Sequence, residues 1–179
     1  MDFHTRIDWQ ERHKLLKVNF PVKYHAQKAL HEIQFGHLER PTHRSRKIDQ
    51  DRFEVSNNKW TALVEPNRGF AILNDSKYGV NVLKNSINLT LLKSALAPDM
   101  TADRGWQEFT HAFYYWNTPF IESRLVQQGY ELNIAPLMIP GRAESRSLFE
   151  LDQANIILET VKPPEGRVPG EMVLRLYEA

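Results

Sequence analysis

Residues 69–92, GFAILNDSKYGVNVLKNSINLTLL, contain three short apolar runs in close succession. The runs occupy residues 69–74, 78–83 and 86–92, and each is bounded by Asn, Asp, Gly or Ser. Large apolar and β-branched residues favour strands, whereas the bounding residues favour turns. The short spacing favours antiparallel pairing of neighbouring strands, so this stretch predicts part of an antiparallel sheet.

The strand pattern continues on both sides of this stretch. Further predicted strands are residues 15–22, 29–35, 51–55, 108–116, 154–161 and 172–177. A total of about nine strands is more than one small sheet holds, so two packed sheets are expected. We therefore predict an all-β fold, a large two-sheet antiparallel β-sandwich formed by one domain over residues 1–179.

One short helix is predicted between the strands. Thr118 is a suitable N-cap, Pro119 suits the first helical position, and Gly129 is a typical stop signal. The turn-rich residues 163–170 lie between two predicted strands and therefore predict a hairpin loop.

Composition limits the expected partners and location. The chain has 179 residues, of which 41% are hydrophobic, enough for a sizeable core. Its 23 Lys and Arg residues nearly balance 22 Asp and Glu residues, so nucleic acid and membrane surfaces are not expected partners. No apolar run approaches the roughly 20 residues of a membrane span, and no signal sequence is expected. The absence of cysteine fits a reducing compartment, so a soluble cytoplasmic protein is expected.

Residues 32–43, EIQFGHLERPTH, end a strand pattern in a dense cluster of ionisable and aromatic side chains. His37 and His43 have no cysteine or closely spaced histidine beside them, so a hydrogen-bonded turn is favoured over a metal site. Arg40 either binds carbonyls or a carboxylate where the strand ends, or contributes to a ligand site. The basic residues 44–47 predict a solvent-exposed loop.

A second polar segment, NDSKYG at residues 74–79, leaves two alternatives open. Asn74 and Asp75 favour turns, and Gly79 permits a close backbone approach, which together predict a hairpin. Alternatively, Asp75 and Tyr78 face a sugar, because carboxylates bind paired hydroxyls and aromatic rings stack on the C–H groups of a pyranose.

Short motifs extend over nearly the whole chain. They are DW at 8–9, ERHKLLK at 11–17, IQFG at 33–36, ERPTH at 39–43, RFEV at 52–55, LNDSKYG at 73–79, LTLL at 89–92, DRG at 103–105, EFT at 108–110, NIILETVK at 155–162 and RLYE at 175–178. In this order they resemble the C-terminal β-domain of the α-mannosidases of glycoside hydrolase family 38. The resemblance implies a sandwich of the galactose-mutarotase-like supersandwich type.

Members of that family are retaining glycosidases, so the resemblance implies hydrolysis of terminal α-mannosidic bonds in glycans or mannosides. It places the nucleophile, the acid and the zinc ligands in a preceding catalytic domain. The chain is therefore expected to be a partial segment with no catalytic residue and no cofactor of its own, inactive when isolated, with zinc in the catalytic domain. The expected partners are that catalytic domain, a mannose-containing glycan and, as an alternative, a second copy of the chain.

The resemblance suggests Arg40, His43, Asp75, Tyr78 and Lys93 as candidate substrate-binding residues. Arg40 and His43 would lie at the domain junction beside the sugar cleft. Lys93 stands where relatives often carry arginine, and lysine keeps the charge but lacks the bidentate fork.

Three functions are compatible with the sequence. The first is structural support of an α-mannosidase, the second an independent carbohydrate-binding module built on the aromatic residues 113–116, and the third an oligomerisation domain. The first predicts exposed apolar surface, the second a solvent-facing aromatic platform, and the third a self-complementary patch. Alternate side chains of an aromatic strand are usually in the core, which weighs against the platform.

Overall fold

The computed structural model describes residues 1–142, 144–166 and 168–179. These residues form antiparallel sheets with few helices, which confirms the predicted all-β sandwich. The chain divides into two compact units, Met1–Ile134 and Ala135–Ala179. A single domain over residues 1–179 stays a prediction.

The first unit consists of two sheets and short helices. Its elements are β1 (Asp2–Trp9), β2 (Leu15–Pro21), β3 (Lys28–Ile33), β4 (Gly36–Pro41), α1 (Lys47–Asp51), β5 (Val55–Ser56), β6 (Trp60–Glu65), β7 (Arg68–Asn74), β8 (Gly79–Leu83), β9 (Ser86–Lys93), β10 (Gly105–Trp116), a 3-10 helix (Phe120–Glu122) and α2 (Leu125–Asn133). One sheet has the strand order β1-β10-β7-β6-β3-β4, and the other has the order β2-β9-β8-β5. Neighbouring strands in both sheets are antiparallel.

The second unit contains an antiparallel hairpin of β11 (Ile156–Lys162) and β12 (Val173–Glu178). Lys162 pairs with Val173, which confirms the hairpin loop predicted over residues 163–170. Arg167 of this loop lies outside the described residues.

The main core lies between the two sheets. Its buried members are Ala29, Leu63, Phe70, Ile72, Val80, Ile87, Leu89, Leu91, Leu92 and Phe109. Because successive side chains of a strand point to opposite faces, the intervening residues of the six-stranded sheet point away from this core. Ala71 and Leu73 of β7 accordingly join a second, outer core. Burial of both faces explains why β7 is almost entirely apolar.

The 3-10 helix and α2 cover the outer face of the six-stranded sheet. Phe120 and Leu125 from these helices pack in the outer core with Trp60 and Trp116. A Cβ added to Gly129 would lie 3.0 Å from Cδ1 of Trp60, so this glycine allows α2 to approach the sheet closely. None of the helices in the described residues is long and apolar enough to cross a membrane.

The predicted limits of the helix are wrong. The chain forms a 3-10 helix at Phe120–Glu122, passes through Arg124 with a left-handed φ of 54°, and continues as α2 beyond Gly129. The first amide of α2 donates to Oγ of Ser123 at 3.2 Å, so this hydroxyl, and not that of Thr118, satisfies the start of the helix. Gly129 is a packing residue here and not a stop signal.

The sequence prediction omits β1, β4 and β6 and is wrong for residues 51–55. Residues Lys47–Asp51 form α1, where Asp49 pairs with Arg46 at 2.8 Å, and only Val55–Ser56 pair as a strand. β6 shows little alternation because it is buried on both faces. β4 is an edge strand whose polar residues are typical of a loop.

The hairpin predicted at residues 74–79 is also wrong. β7 pairs with β6 and β10, whereas β8 pairs with β5 and β9, so the chain crosses from one sheet to the other between these strands. The turn-forming residues do mark the connection between two strands. Packing of the second sheet decides where the following strand pairs.

Gly69→Ala should destabilise the protein. Gly69 pairs with Trp116 across β7 and β10, and an added Cβ would overlap the indole ring. Overpacking of this kind costs about 1–3 kcal/mol, and each kcal/mol lowers the Tm by roughly 2–4 °C in a chain of this size. Gly141→Ala is the control, because nothing lies within 4 Å of its added Cβ. Equal melting temperatures for the two variants would contradict the packing described here.

Candidate functional site

Asp75, Tyr78 and Lys93 lie at one end of β8 and β9. Asp75 and Tyr78 belong to the connection before β8, and Lys93 is the last residue of β9, which runs antiparallel to β8. Tyr78 is 56% exposed, and Lys93 is exposed as well. Their role in substrate binding stays a prediction.

The carboxylate of Asp75 already has protein partners. Its Oδ2 accepts a hydrogen bond from the amide of Thr110 at 2.7 Å, and its Oδ1 accepts one from the hydroxyl of Ser76 at 2.8 Å. The amide of Asp75 donates to the carbonyl of Thr110 at 3.2 Å. Asp75 therefore fixes the connection against β10, and only its remaining lone pairs are available to a sugar hydroxyl.

Lys93 lies beside a small charged cluster. Glu54 accepts a hydrogen bond from Nζ of Lys17 at 3.0 Å and another from the hydroxyl of Thr90. Burial acts to raise the pKa of Glu54, but these hydrogen bonds and the charges of Lys17 and Lys93 outweigh it, so the pKa lies below its usual range. Lys93 makes no salt bridge within the described residues, and its charge is available at the surface.

Arg40 and His43 lie at the other end of β8 and β9. The amide of Lys84, in the turn between these strands, donates to the carbonyl of Thr42 at 2.6 Å. β9 has 8 residues, so a distance of roughly 23 Å separates its first and last residues at about 3.3 Å per step. The structure therefore brings the five candidates together as two groups and not as one site.

Arg40 and His43 line a cavity of about 60 Å³ at the edge between the two sheets, which we call the Arg40 pocket. Its ionisable lining also includes His31, Arg44, Arg46, Asp49 and Arg52. β5 and β8 contribute Val55, Asn81 and Val82 to the lining. The chain from β4 to β5, including α1, crosses the edge of the sandwich and supplies most of the charged groups.

Arg40, which lines this pocket, has an unpaired nitrogen. Its Nη1 is buried and has no hydrogen-bond acceptor among the described residues. Burial, followed by the nearby charge of Arg52, lowers the pKa of the Arg40 guanidinium. The guanidinium keeps its positive charge, because arginine is not deprotonated in proteins.

A chain of buried polar side chains runs from this pocket to the other candidate group. Nδ1 of His31 is 3.2 Å from Oγ1 of Thr61, which accepts a hydrogen bond from Nδ2 of Asn57 at 2.8 Å. Oδ1 of Asn57 accepts one from Nδ2 of Asn74 at 3.1 Å. The main-chain amide of Lys77 donates to Oδ1 of Asn74 at 2.8 Å, which holds the connection before β8.

His31 is neutral at physiological pH. Burial, and secondarily the charge of Arg40, lowers the pKa of His31 from 6.5 to about 3. Since the hydroxyl of Thr61 already accepts from Asn57, it is free to donate to Nδ1 of His31. This arrangement favours the neutral tautomer with hydrogen on Nε2.

His37 and His43 do not form a common site. His37 packs against the rings of Phe120 and Trp60 in the outer core, at centroid distances of 5.4 and 6.0 Å. Nδ1 of His43 lies 2.9 Å from the hydroxyl of Ser45, a local hydrogen bond after β4. No group of three or more His, Asp or Glu side chains in the described residues could hold a metal ion. The resemblance places zinc in a preceding catalytic domain, and this stays a prediction.

Arg44, Arg46 and Arg52 are the site residues that the sequence did not single out. The basic residues 44–47 were expected in a solvent-exposed loop, and their backbone is indeed at the surface. Three-dimensional proximity places two of these arginines and Arg52 around Arg40. The density of arginines between residues 40 and 52 was the available signal.

The aromatic residues 113–116 are divided between the two faces of β10. Phe113 packs against the main core, whereas Tyr114 and Trp116 join the outer core. Tyr115 is 62% exposed, and Trp106 is 66% exposed on the same strand. Tyr115 lies nine positions after Trp106, and an odd spacing along a strand places two side chains on opposite faces. The two residues therefore form no common platform.

Comparison with known proteins gives consistent matches. Residues 1–101 match the family described as glycosyl hydrolases family 38 C-terminal domain. Alpha-mannosidase 2C1 of Homo sapiens is 43% identical over 182 residues, and alpha-mannosidase G of Dictyostelium discoideum is 37% identical over 186 residues. These alignments cover 99% and 100% of the chain but only 18% and 17% of the relatives. The chain thus spans less than a fifth of the length of either relative.

A solved structure supports the fold. The crystal structure of an alpha-mannosidase from Enterococcus faecalis V583 aligns with a TM-score of 0.82 and 19% identity. The alignment covers 99% of this chain and 21% of that protein. At this level of identity, the match bears on the fold alone.

His31 should make stability depend on pH. Its pKa is about 3 in the folded protein and 6.5 when unperturbed, so the unfolded chain binds the extra proton between these values. The free energy of unfolding should be highest above pH 6.5 and fall on acidification by up to about 1.4 kcal/mol per pH unit from this group. Urea unfolding at several pH values should show that the free energy of unfolding depends less steeply on pH in His31→Asn than in the wild type.

His13→Asn is the matched control for this slope. His13 is exposed and has a φ of 53°, a conformation that Asn tolerates. Its slope should equal that of the wild type. A slope unchanged by His31→Asn would show that His31 is not the group that resists protonation.

Proposed function

Because the chain belongs to the glycosyl hydrolases family 38 C-terminal domain family, we propose that it is the C-terminal β-domain of an α-mannosidase. That enzyme hydrolyses terminal α-mannosidic bonds in glycans or mannosides. The observation that carries the proposal is the alignment of 99% of the chain with an α-mannosidase at 43% identity. In this role the domain supports the substrate cleft and supplies no catalytic residue.

Exposed apolar surface supports a role beside another domain. In the second unit, Leu137, Met138 and Ile139 are 86%, 88% and 77% exposed. Consecutive exposed apolar side chains are unfavourable in water and are typical of contact surfaces. The proposed occupant is the catalytic part of the same enzyme, because the α-mannosidase relatives extend over several times the length of this chain.

Substrate contact is proposed for the residues at the Lys93 end of β8 and β9. Lys93 and Tyr78 are both exposed near this end, and they offer a cation and an aromatic ring to a sugar. Zinc binding belongs to the catalytic part in this proposal. A cytoplasmic location and a role in mannose metabolism complete it, supported by the absence of cysteine and by the α-mannosidase relatives.

The 179-residue chain should not hydrolyse an aryl α-mannoside, with or without added zinc. The expectation rests on the absence of a converging metal-ligand group in the described residues and on the short share of each relative that the chain covers. Released aryl alcohol measured after stringent purification is the readout. Turnover that depends on the concentration of the chain and resists repurification would overturn the supporting role.

A chimera tests the supporting role directly. The chain should replace the matching region of human alpha-mannosidase 2C1, to which it is 43% identical, and preserve activity. Lys93→Gln in this chimera should raise KM by roughly tenfold, since one charge-assisted hydrogen bond contributes about 1.5 kcal/mol or more. Lys23→Gln, an exposed lysine between β2 and β3, is the control and should leave KM unchanged. Equal KM values for the two variants would exclude Lys93 from substrate binding.

A further inference from the structure

The Arg40 pocket has an excess of positive charge. Four arginines line it, Arg40, Arg44, Arg46 and Arg52. Asp49 is the carboxylate of the lining, and Arg46 binds it through Nε at 3.0 Å and Nη2 at 2.8 Å. Three of the four arginines therefore have no carboxylate partner in the described residues.

Arg40 is the most constrained of these cations. Its Nη1 is buried without an acceptor, and Arg52 adds a repulsive charge nearby. A buried donor without a partner is destabilising by about 1–3 kcal/mol, and by more when the group is charged. The charges of Arg40 and Arg52 together favour an anion in the pocket.

The rest of the lining does not neutralise these charges. His31 supplies a neutral ring, and the residues contributed by β5 and β8 are Val55, Asn81 and Val82. The cavity of about 60 Å³ is several times the roughly 10–15 Å³ that one water needs by this measure. The cavity is therefore large enough for a group with a few oxygen atoms.

We infer that the Arg40 pocket is a binding site for a small oxyanion, a phosphate or carboxylate group held by the guanidinium groups of Arg40 and Arg52. Planar guanidinium groups bind such anions with two parallel hydrogen bonds, and Arg40 and Arg52 both line the cavity. β8 also contributes Asn81 to the lining, a residue whose side-chain amide is a hydrogen-bond donor. The site lies at the far end of β8 and β9 from Lys93, so it does not depend on the proposed function.

Calorimetric titration of the 179-residue chain with inorganic phosphate, at constant ionic strength, tests the inference. Saturable binding to one site is expected. Arg40→Gln should weaken it at least tenfold, in line with loss of a charge-assisted contact, and Arg52→Gln should weaken it to a lesser degree. Arg12→Gln, an exposed arginine between β1 and β2, removes the same charge elsewhere and should bind as the wild type does.

Titrations with sulfate and acetate distinguish the sources of the oxyanion. Preference for phosphate and sulfate indicates a phosphate-type ligand, whereas equal binding of acetate indicates a carboxylate, such as an acidic side chain. Both results support the site. Circular dichroism establishes that each variant folds, and the exposed Arg52 provides the test if Arg40→Gln does not fold. No saturable heat in the wild type, or equal weakening by Arg12→Gln, would overturn the inference.

Discussion

The buried hydrogen-bonded chain of Asn74, Asn57, Thr61 and His31 is the constraint on which the rest of the first unit depends. All four residues are almost completely buried, so each polar group would be strongly unfavourable without a partner. Asn57 follows β5 of the four-stranded sheet, whereas the other three residues belong to the six-stranded sheet. These side-chain hydrogen bonds therefore fix one sheet against the other. Apolar contacts cannot do this, because they are not directional.

The same hydrogen-bonded side chains position both groups of candidate substrate-binding residues. At one end, Asn74 holds the amide of Lys77 and so fixes the connection that carries Asp75 and Tyr78. At the other end, His31 forms part of the wall of the Arg40 pocket. The connections that bear ligand-binding candidates are consequently anchored to buried residues of the sandwich, as precise positioning requires.

The elements that the sequence predicted correctly are those whose residue pattern agrees with their surroundings in the fold. β8, β9 and β10 alternate or are bounded by turn residues, and they were found. β6 was missed because two cores bury both of its faces, and β4 because it is a polar edge strand. Gly129 was misinterpreted because its contact with Trp60 exists only in the folded molecule. Likewise, Asp75 and Lys93 stood out in their motifs, whereas the approach of Arg52 to Arg40 depends on how the chain crosses the sandwich edge.

His31 belongs to the hydrogen-bonded chain of buried side chains and also lies close enough to Arg40 to be affected by its charge. Protonation of His31 is therefore coupled to anion binding beside Arg40. Burial is the larger reason for the low pKa of His31, and the charge of Arg40 is the smaller one. An oxyanion beside Arg40 would offset that charge and raise the pKa of His31 part of the way, leaving the effect of burial in place. Protonation of His31 would in turn favour the bound anion, because linkage is reciprocal. The same proton would occupy Nδ1 of His31, the atom that accepts the hydrogen bond from Thr61. It would therefore break one link of the hydrogen-bonded chain that connects the two sheets. This loss limits the coupling between anion binding and protonation of His31.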